Sequence, residues 1–242
     1  EPQFVFGNGK RITPAGGNFQ LREPVIEAAN LKSWAIIYHK FDFDTCDRLY
    51  QTLRKCSGAY GINVTEPQWI EVESKSSKDW EAALKATIPK MKDPLIIVAL
   101  IPAQAKKTHY PMIKRFCCNT RPIPSQVVCT KSLMKNEMSV CSKILLQMNA
   151  KLGLTLWQTQ LPKGLPKNTM IIGADVFHNV GQRDKKRSVI GFCASLDPAF
   201  TKFYTQVHFQ AKKGDEFMTT IPNLVKKAIQ VYFAANKKTY PD

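Results

Sequence analysis

The chain has 242 residues, is 44% hydrophobic and carries a formal net charge of +16 at pH 7. That length and apolar content suffice for one large or two small domains with real cores, and the basic excess points to a polyanionic partner. No run approaches the ~18 uninterrupted apolar residues of a membrane span. Seven cysteines without paired spacing argue against a disulfide framework and a structural zinc site, and for an intracellular, reducing compartment, cytoplasm or nucleus.

Residues 1–31 are rich in Gly, Pro and Asn and read as a linker; the opening Glu1-Pro-Gln-Phe4 is no signal peptide, and without a Met it reads as a cut or processed end. Trp34-Ala-Ile-Ile-Tyr38 predicts a buried strand, and Asp44-Thr45 a helix cap, with Ser57-Gly58 as the stop. Ser77 to Ile88 predicts a second helix, ended by Pro89, and Leu95 to Ile101 the most strand-like run of the chain. A third helix is predicted from Tyr110 to about Asn119, a short strand over Ser125–Val128, and a fourth helix from Glu137 to Leu152 with Gly153 beyond it. Strands alternating with helices imply a parallel sheet, whose ligands sit beyond the carboxyl ends of the strands; the segments after Ile101 and Val128 are loops of that kind. Pro162, Gly164 and Pro166 mark a boundary. After it come a strand over Met170–Ala174, a hairpin of Ser188–Leu196 and Phe203–Gln210 turning at Asp197-Pro198, and a helix to about Asn236.

Between Pro102 and Lys167 stand eleven Lys or Arg and one acid, Glu137, which is +10 of the chain's +16. Tyr110 and Lys114, four apart, share a helix face. At the start of the predicted helix they would meet free backbone N–H groups that attract anions. Gln126 adds an amide from the neighbouring strand, and Gln147 and Lys151 are again four apart. Lys143, Lys163 and Lys167 read as ordinary solvated positions. An aromatic ring, two ammoniums and amides in this order fit the terminal phosphate of a nucleic-acid strand and its base; the alternative, solvated positions on amphipathic helices, stays open.

Tyr110-x-x-x-Lys114, Ser125-Gln-Val127 and Gln147-Met-Asn-x-Lys-Leu-Gly153 resemble the MID domain of Argonaute/Piwi proteins, and Ile171-Ile-Gly-Ala-Asp-Val-Phe-His178 resembles the opening of their PIWI domain. The resemblance covers essentially the whole chain. It implies an α/β protein: residues 1–31 the end of a linker, 32–166 a Rossmann-like MID domain with a parallel sheet flanked by helices, and 167–242 the amino-terminal portion of a ribonuclease-H-like PIWI domain. It implies gene silencing with a small single-stranded guide RNA. Tyr110 would stack on the first guide base, Lys114, Gln126 and Lys151 would hold its 5′ phosphate, and Ala105, Lys106, Lys107, Thr108 and His109 would form the loop that inspects that base. Gln147 stands where Argonaute-clade members usually have a lysine. It resembles the Piwi clade, which recruits a divalent ion, Mg²⁺ or Mn²⁺, to the phosphate, and whose guides are usually piRNA-like with a 5′ uridine; alternatively Gln147 only hydrogen-bonds the phosphate.

By the same resemblance Asp175, closing a strand central to its sheet, is the first catalytic acid and a Mg²⁺ ligand, and Glu216 is the glutamate of a mobile loop; a helix-start acid is the other reading of Glu216. His178 reads as a structural neighbour. Two-metal cleavage needs several converging carboxylates, and Asp242 lies in a turn-like end, so this chain is expected not to cleave, although the parent protein is expected to cut target RNA paired to its guide. The partners expected are the guide, the target through it and the remainder of the PIWI domain, with no membrane. Two further readings compete: a self-contained metal-dependent nuclease using Asp175 and Glu216, and a small-metabolite binder, against which the absence of any G-x-G-x-x-G or Walker-type loop weighs.

Overall fold

The computed structural model describes residues 2–17, 21–134, 136–178, 188–209 and 217–242. The chain divides into two compact units, one of Phe6–Lys10 and Asn18–Leu156, the other of Glu1–Val5, Arg11–Gly17 and Trp157–Asp242.

The first unit is built on β1 (Trp34–His39), β2 (Gln68–Val72), β3 (Ile96–Ile101) and β4 (Ser125–Cys129), all parallel, in the order β2-β1-β3-β4. β1 and β3 are buried at every position, as continuous apolar runs must be when helices cover both faces of a sheet. Alternate side chains serve two cores. Trp34, Ile36 and Tyr38 pack with α1 (Phe43–Tyr60) and α4 (Glu137–Lys151), while Ala35 and Ile37 pack with α2 (Ser77–Thr87) and α3 (Lys106–Arg115). The α1 helix runs past Ser57-Gly58 to Tyr60 and stops at Gly61, whose φ of 72° lets its N–H reach the Gly58 and Ser57 carbonyls. Neither Asp44 nor Thr45 caps it, since both lie inside.

Two expectations are corrected here. The edge strand β2 was not predicted, although Ile70 and Val72 turn inward on either side of the exposed Glu71. The helix expected from Tyr110 starts four residues earlier, at Lys106, directly from a 3₁₀ turn over Ala103–Ala105, and a π-turn over Phe116–Thr120 follows it. Pro111 therefore sits inside the helix, forfeiting one backbone bond, instead of opening it. Within residues 1–31, Asn30–Leu31 pairs in parallel with Asn63–Val64, and Phe4–Val5 pairs antiparallel with Arg11–Ile12 and Gln158–Thr159 in the second unit.

The second unit carries an antiparallel sheet of β5 (Ile172–His178), β6 (Ser188–Ser195) and β7 (Phe203–Phe209), in that order. Ile190, Phe192 and Ala194 pack on Leu224 and Ala228 of α5 (Phe217–Ala235). The turn after β6 is held by the Asp197 carboxylate, which accepts from the Thr201 and Lys202 backbone N–H groups. The strand predicted over Met170–Ala174 runs on through Asp175 to His178. Among the described residues it pairs with β6.

Candidate functional site

The site is organised by the first two residues of β4. Strand alternation sends Ser125 and Gln126 to opposite faces of the sheet. Ser125, beside Ile97, looks toward α3; Gln126, beside Val98, looks toward α4. Both are buried, Gln126 to 6% exposure. Lys114, in the last turn of α3, donates to the Ser125 carbonyl oxygen at 3.2 Å and to its Oγ at 2.8 Å. Lys151, in the last turn of α4, donates to the same carbonyl at 2.9 Å and to Gln126 Oε1 at 2.6 Å. Gln126 Nε2 then donates to Gln147 Oε1 at 3.0 Å. The Tyr110 ring is 43% exposed, and the Lys114 ammonium stands 5.8 Å from its centroid.

Four of the residues singled out in the sequence, Lys114, Gln126, Gln147 and Lys151, thus meet at one spot, with Tyr110 at its margin. Ser125 was not singled out, although its carbonyl is the common acceptor. The geometry differs from expectation in two respects. The cluster lies at the amino end of β4 and not beyond the carboxyl ends of the strands, because α3 starts early and carries Lys114 back down the sheet. Lys114 also sits at the carboxyl end of its helix, so the anion-attracting helix start does not operate on it.

The electrostatics are those of an incomplete anion site. Two ammoniums share one carbonyl, and among the described residues neither has a carboxylate partner; the neighbouring Arg115 is paired with Glu81 instead. Burial, and after it the charge of Lys114, push the Lys151 pKa below its ordinary 10.5. Gln147 is exposed, and its oxygen has one lone pair left after accepting from Gln126. A divalent cation fits there only beside an added anion, since the described residues at this spot offer two positive charges and no carboxylate to receive it.

The base-inspecting residues do not form a loop. Ala105 ends the 3₁₀ turn, Lys106, Lys107 and Thr108 are exposed in the first turn of α3, and His109 is buried against Trp80, ring centroids 4.8 Å apart. Asp175 is exposed on β5, and its Oδ1 accepts from the N–H of Val176. Glu216 lies outside the described residues, as does the side chain of His178. Among the described residues no three His, Cys, Asp or Glu side chains are grouped to hold a metal, so they do not make a two-metal centre.

Residues 96–242 match the Piwi domain. The chain belongs to the Argonaute/Piwi family. It is 32% identical to Piwi-like protein 1 of Gallus gallus over 216 residues, 88% of this chain and 24% of that protein. It is 30% identical to Piwi-like protein 3 of Homo sapiens over 245 residues, 96% of this chain and 27% of that one. The chain therefore spans about a quarter of the length of these curated relatives. Its fold is similar to the crystal structure of Drosophila Piwi (TM-score 0.84, 24% identity, 99% of this chain and 32% of that one) and to Kluyveromyces polysporus Argonaute solved with a guide RNA (TM-score 0.80, 16% identity, 99% and 32%). No helix among the described residues is long and apolar enough to cross a membrane.

Proposed function

We propose that this chain anchors the 5′ end of a small guide RNA in RNA silencing. The observation that carries this reading is the pair of ammoniums, Lys114 and Lys151, converging without a carboxylate on the Ser125 carbonyl beside the Gln126 and Gln147 amides. A terminal phosphate supplies the missing negative charge and accepts from all of these donors. The exposed Tyr110 ring offers a face for the first base. We assign residues 32–166 to the MID domain and 167–242 to the amino-terminal part of the PIWI domain, with residues 1–31 as the preceding linker.

The Piwi-like relatives and Gln147 support the finer reading of piRNA-like, 5′-uridine guides, with Mg²⁺ completing the phosphate site through the Gln147 oxygen. In the longer protein, Asp175 and Glu216 would contribute to a metal-dependent centre that cuts target RNA paired to the guide. The test compares one short RNA with a 5′ phosphate and with a 5′ hydroxyl. Tight binding of the phosphorylated form, lost in Lys114→Ala while general RNA binding persists, is the expected result. Equal affinity for the two RNAs in the unaltered chain rejects the site.

A further inference from the structure

The crevice at the other end of the parallel sheet shares Ala105, Thr108 and His109 with the expected base-inspecting segment but none of the residues that meet at the Ser125 carbonyl. In the order β2-β1-β3-β4 the chain leaves β1 toward α1 on one face and leaves β3 toward α3 on the other. The carboxyl ends of these adjacent strands therefore flank the topological switch point, where open α/β sheets hold their ligands. A cleft of about 440 Å³ opens there. Its walls come from the ends of both strands, with His39 closing β1, Phe41 and Asp42 following it and Pro102 and Gln104 following β3, and from Trp80 and His109. Ser125 and Gln126, by contrast, open β4 at the opposite end.

The lining is chemically specific. The Phe41 ring is 80% exposed, yet it is held in place against His39, centroids 5.2 Å apart. His39 Nδ1 accepts from the Phe41 N–H, which leaves Nε2 as the protonated nitrogen of the neutral ring. Thr108 Oγ1 donates to the Ala105 carbonyl, so His109 Nδ1 donates to Thr108, and His109 Nε2 is left as an acceptor. Burial lowers the His109 pKa and keeps that ring neutral. The cleft is thus flanked by an aromatic face, one imidazole donor, one imidazole acceptor, the Gln104 amide and the Asp42 carboxylate, with the exposed Lys75 at its edge. Such a set matches a flat ring with its own donors and acceptors, and Lys75 matches an anion attached to it.

We propose that this cleft is a second ligand site, taking a heteroaromatic ring that carries an anionic group, the chemistry of a nucleoside monophosphate, with the ring against Phe41 and the anion at Lys75. The helix α3 separates it from the guide-end cluster, with Thr108 and His109 on the cleft's side and Tyr110 and Lys114 one face away.

The experiment measures binding of AMP, GMP, CMP and UMP by equilibrium dialysis to the whole chain carrying Lys114→Ala and Lys151→Met, so that the guide-end cluster is disabled. One nucleotide per chain is expected for at least one base. Adding Phe41→Ala, or separately Lys75→Ala, to that background is expected to weaken binding at least tenfold; both side chains are exposed, so the fold is retained. Ribose 5-phosphate and inorganic phosphate are expected not to displace the nucleotide. Loss of all binding in the Lys114→Ala, Lys151→Met chain would place the nucleotide in the guide-end cluster and overturn the proposal. Binding indifferent to both Phe41→Ala and Lys75→Ala, or displacement by phosphate alone, overturns it equally.

Discussion

Replacing Lys151 with Met separates the anion site from the stability of the fold. The two ammoniums lie 3.2 and 2.9 Å from one oxygen, hence at most about 6 Å apart, where two unit charges repel by roughly 0.7 kcal/mol in water and about 3 kcal/mol at a protein-surface dielectric. Lys151→Met removes that repulsion and also removes the bonds to the Ser125 carbonyl and Gln126 Oε1, each worth roughly 1.5–3 kcal/mol as a bond to a charged group. Ser125 keeps Lys114 as a donor, and the relieved repulsion offsets about half or more of the loss, so the net cost is about 0–3 kcal/mol and the free chain's Tm should fall by no more than about 12 °C. Binding does not cancel in this way. A 5′-phosphorylated RNA loses one charge-assisted contact, about 1.5–3 kcal/mol, which is roughly a ten- to hundredfold weaker Kd. The same RNA with a 5′ hydroxyl should change by less than about twofold. Fluorescence anisotropy on the paired RNAs, with a thermal melt of the free chain, measures all three quantities. An equal loss for both RNAs, or a melt lowered by more than about 12 °C, would refute the reasoning.

The remaining expectations concern pH, the metal and the linker contact. Since the Lys151 pKa is depressed in the folded chain, the folded and unfolded forms bind the same protons below it; between that value and 10.5 the unfolded chain holds one more. Stability should therefore rise with pH across that window and level off above it, and denaturation midpoints should show the rise flattened in Lys151→Met. Gln147→Lys should reduce the Mg²⁺ dependence of 5′-phosphate binding by placing a third ammonium where the cation would sit; an unchanged Mg²⁺ titration would remove Gln147 from the metal's surroundings. Asn149 accepts from the Ala29 N–H at 2.8 Å and donates to the Glu27 carbonyl at 2.9 Å, so Asn149→Ala removes both bonds, takes the side-chain acceptor from the buried Ala29 N–H, and should cost roughly 1–3 kcal/mol by urea denaturation.

What could be read from the sequence follows from how local its cause is. The runs Trp34–His39 and Ile96–Ile101 were legible because burial on both faces demands uninterrupted apolar residues. Gln68–Val72 was not, because an edge strand needs only alternate apolar positions and two of its five side chains are exposed and polar. Pro111 misplaced the start of α3, since a proline more often opens a helix than lies within one. At the site, the pairs Tyr110 with Lys114 and Gln147 with Lys151 are four apart on single helices and so visible in one dimension. Their meeting depends on the register of β4 against β3, Ile97 opposite Ser125 and Val98 opposite Gln126, which no spacing within either helix encodes. That register is also why Ser125 escaped notice, as its contribution is a carbonyl, which any residue would supply.

On the proposed function, the helix ends give a reason for a terminal phosphate to be favoured over one inside a strand. Lys114 and Lys151 each occupy the last turn of a helix, where the partial negative charge of the carboxyl end attracts an ammonium by about 0.3–1 kcal/mol. This offsets part of their mutual repulsion, and among the described residues no carboxylate pairs with either ammonium. An internal phosphodiester brings one negative charge and two bulky substituents, whereas a terminal monoester brings roughly 1.5–2 charges and three free oxygens. At the same distances the monoester gains about twice the attraction and fills more of the donors. Preference for a strand's phosphorylated end then follows from the charge of the pair, without any contact to a base, and it should survive removal of the Tyr110 ring while falling with either lysine.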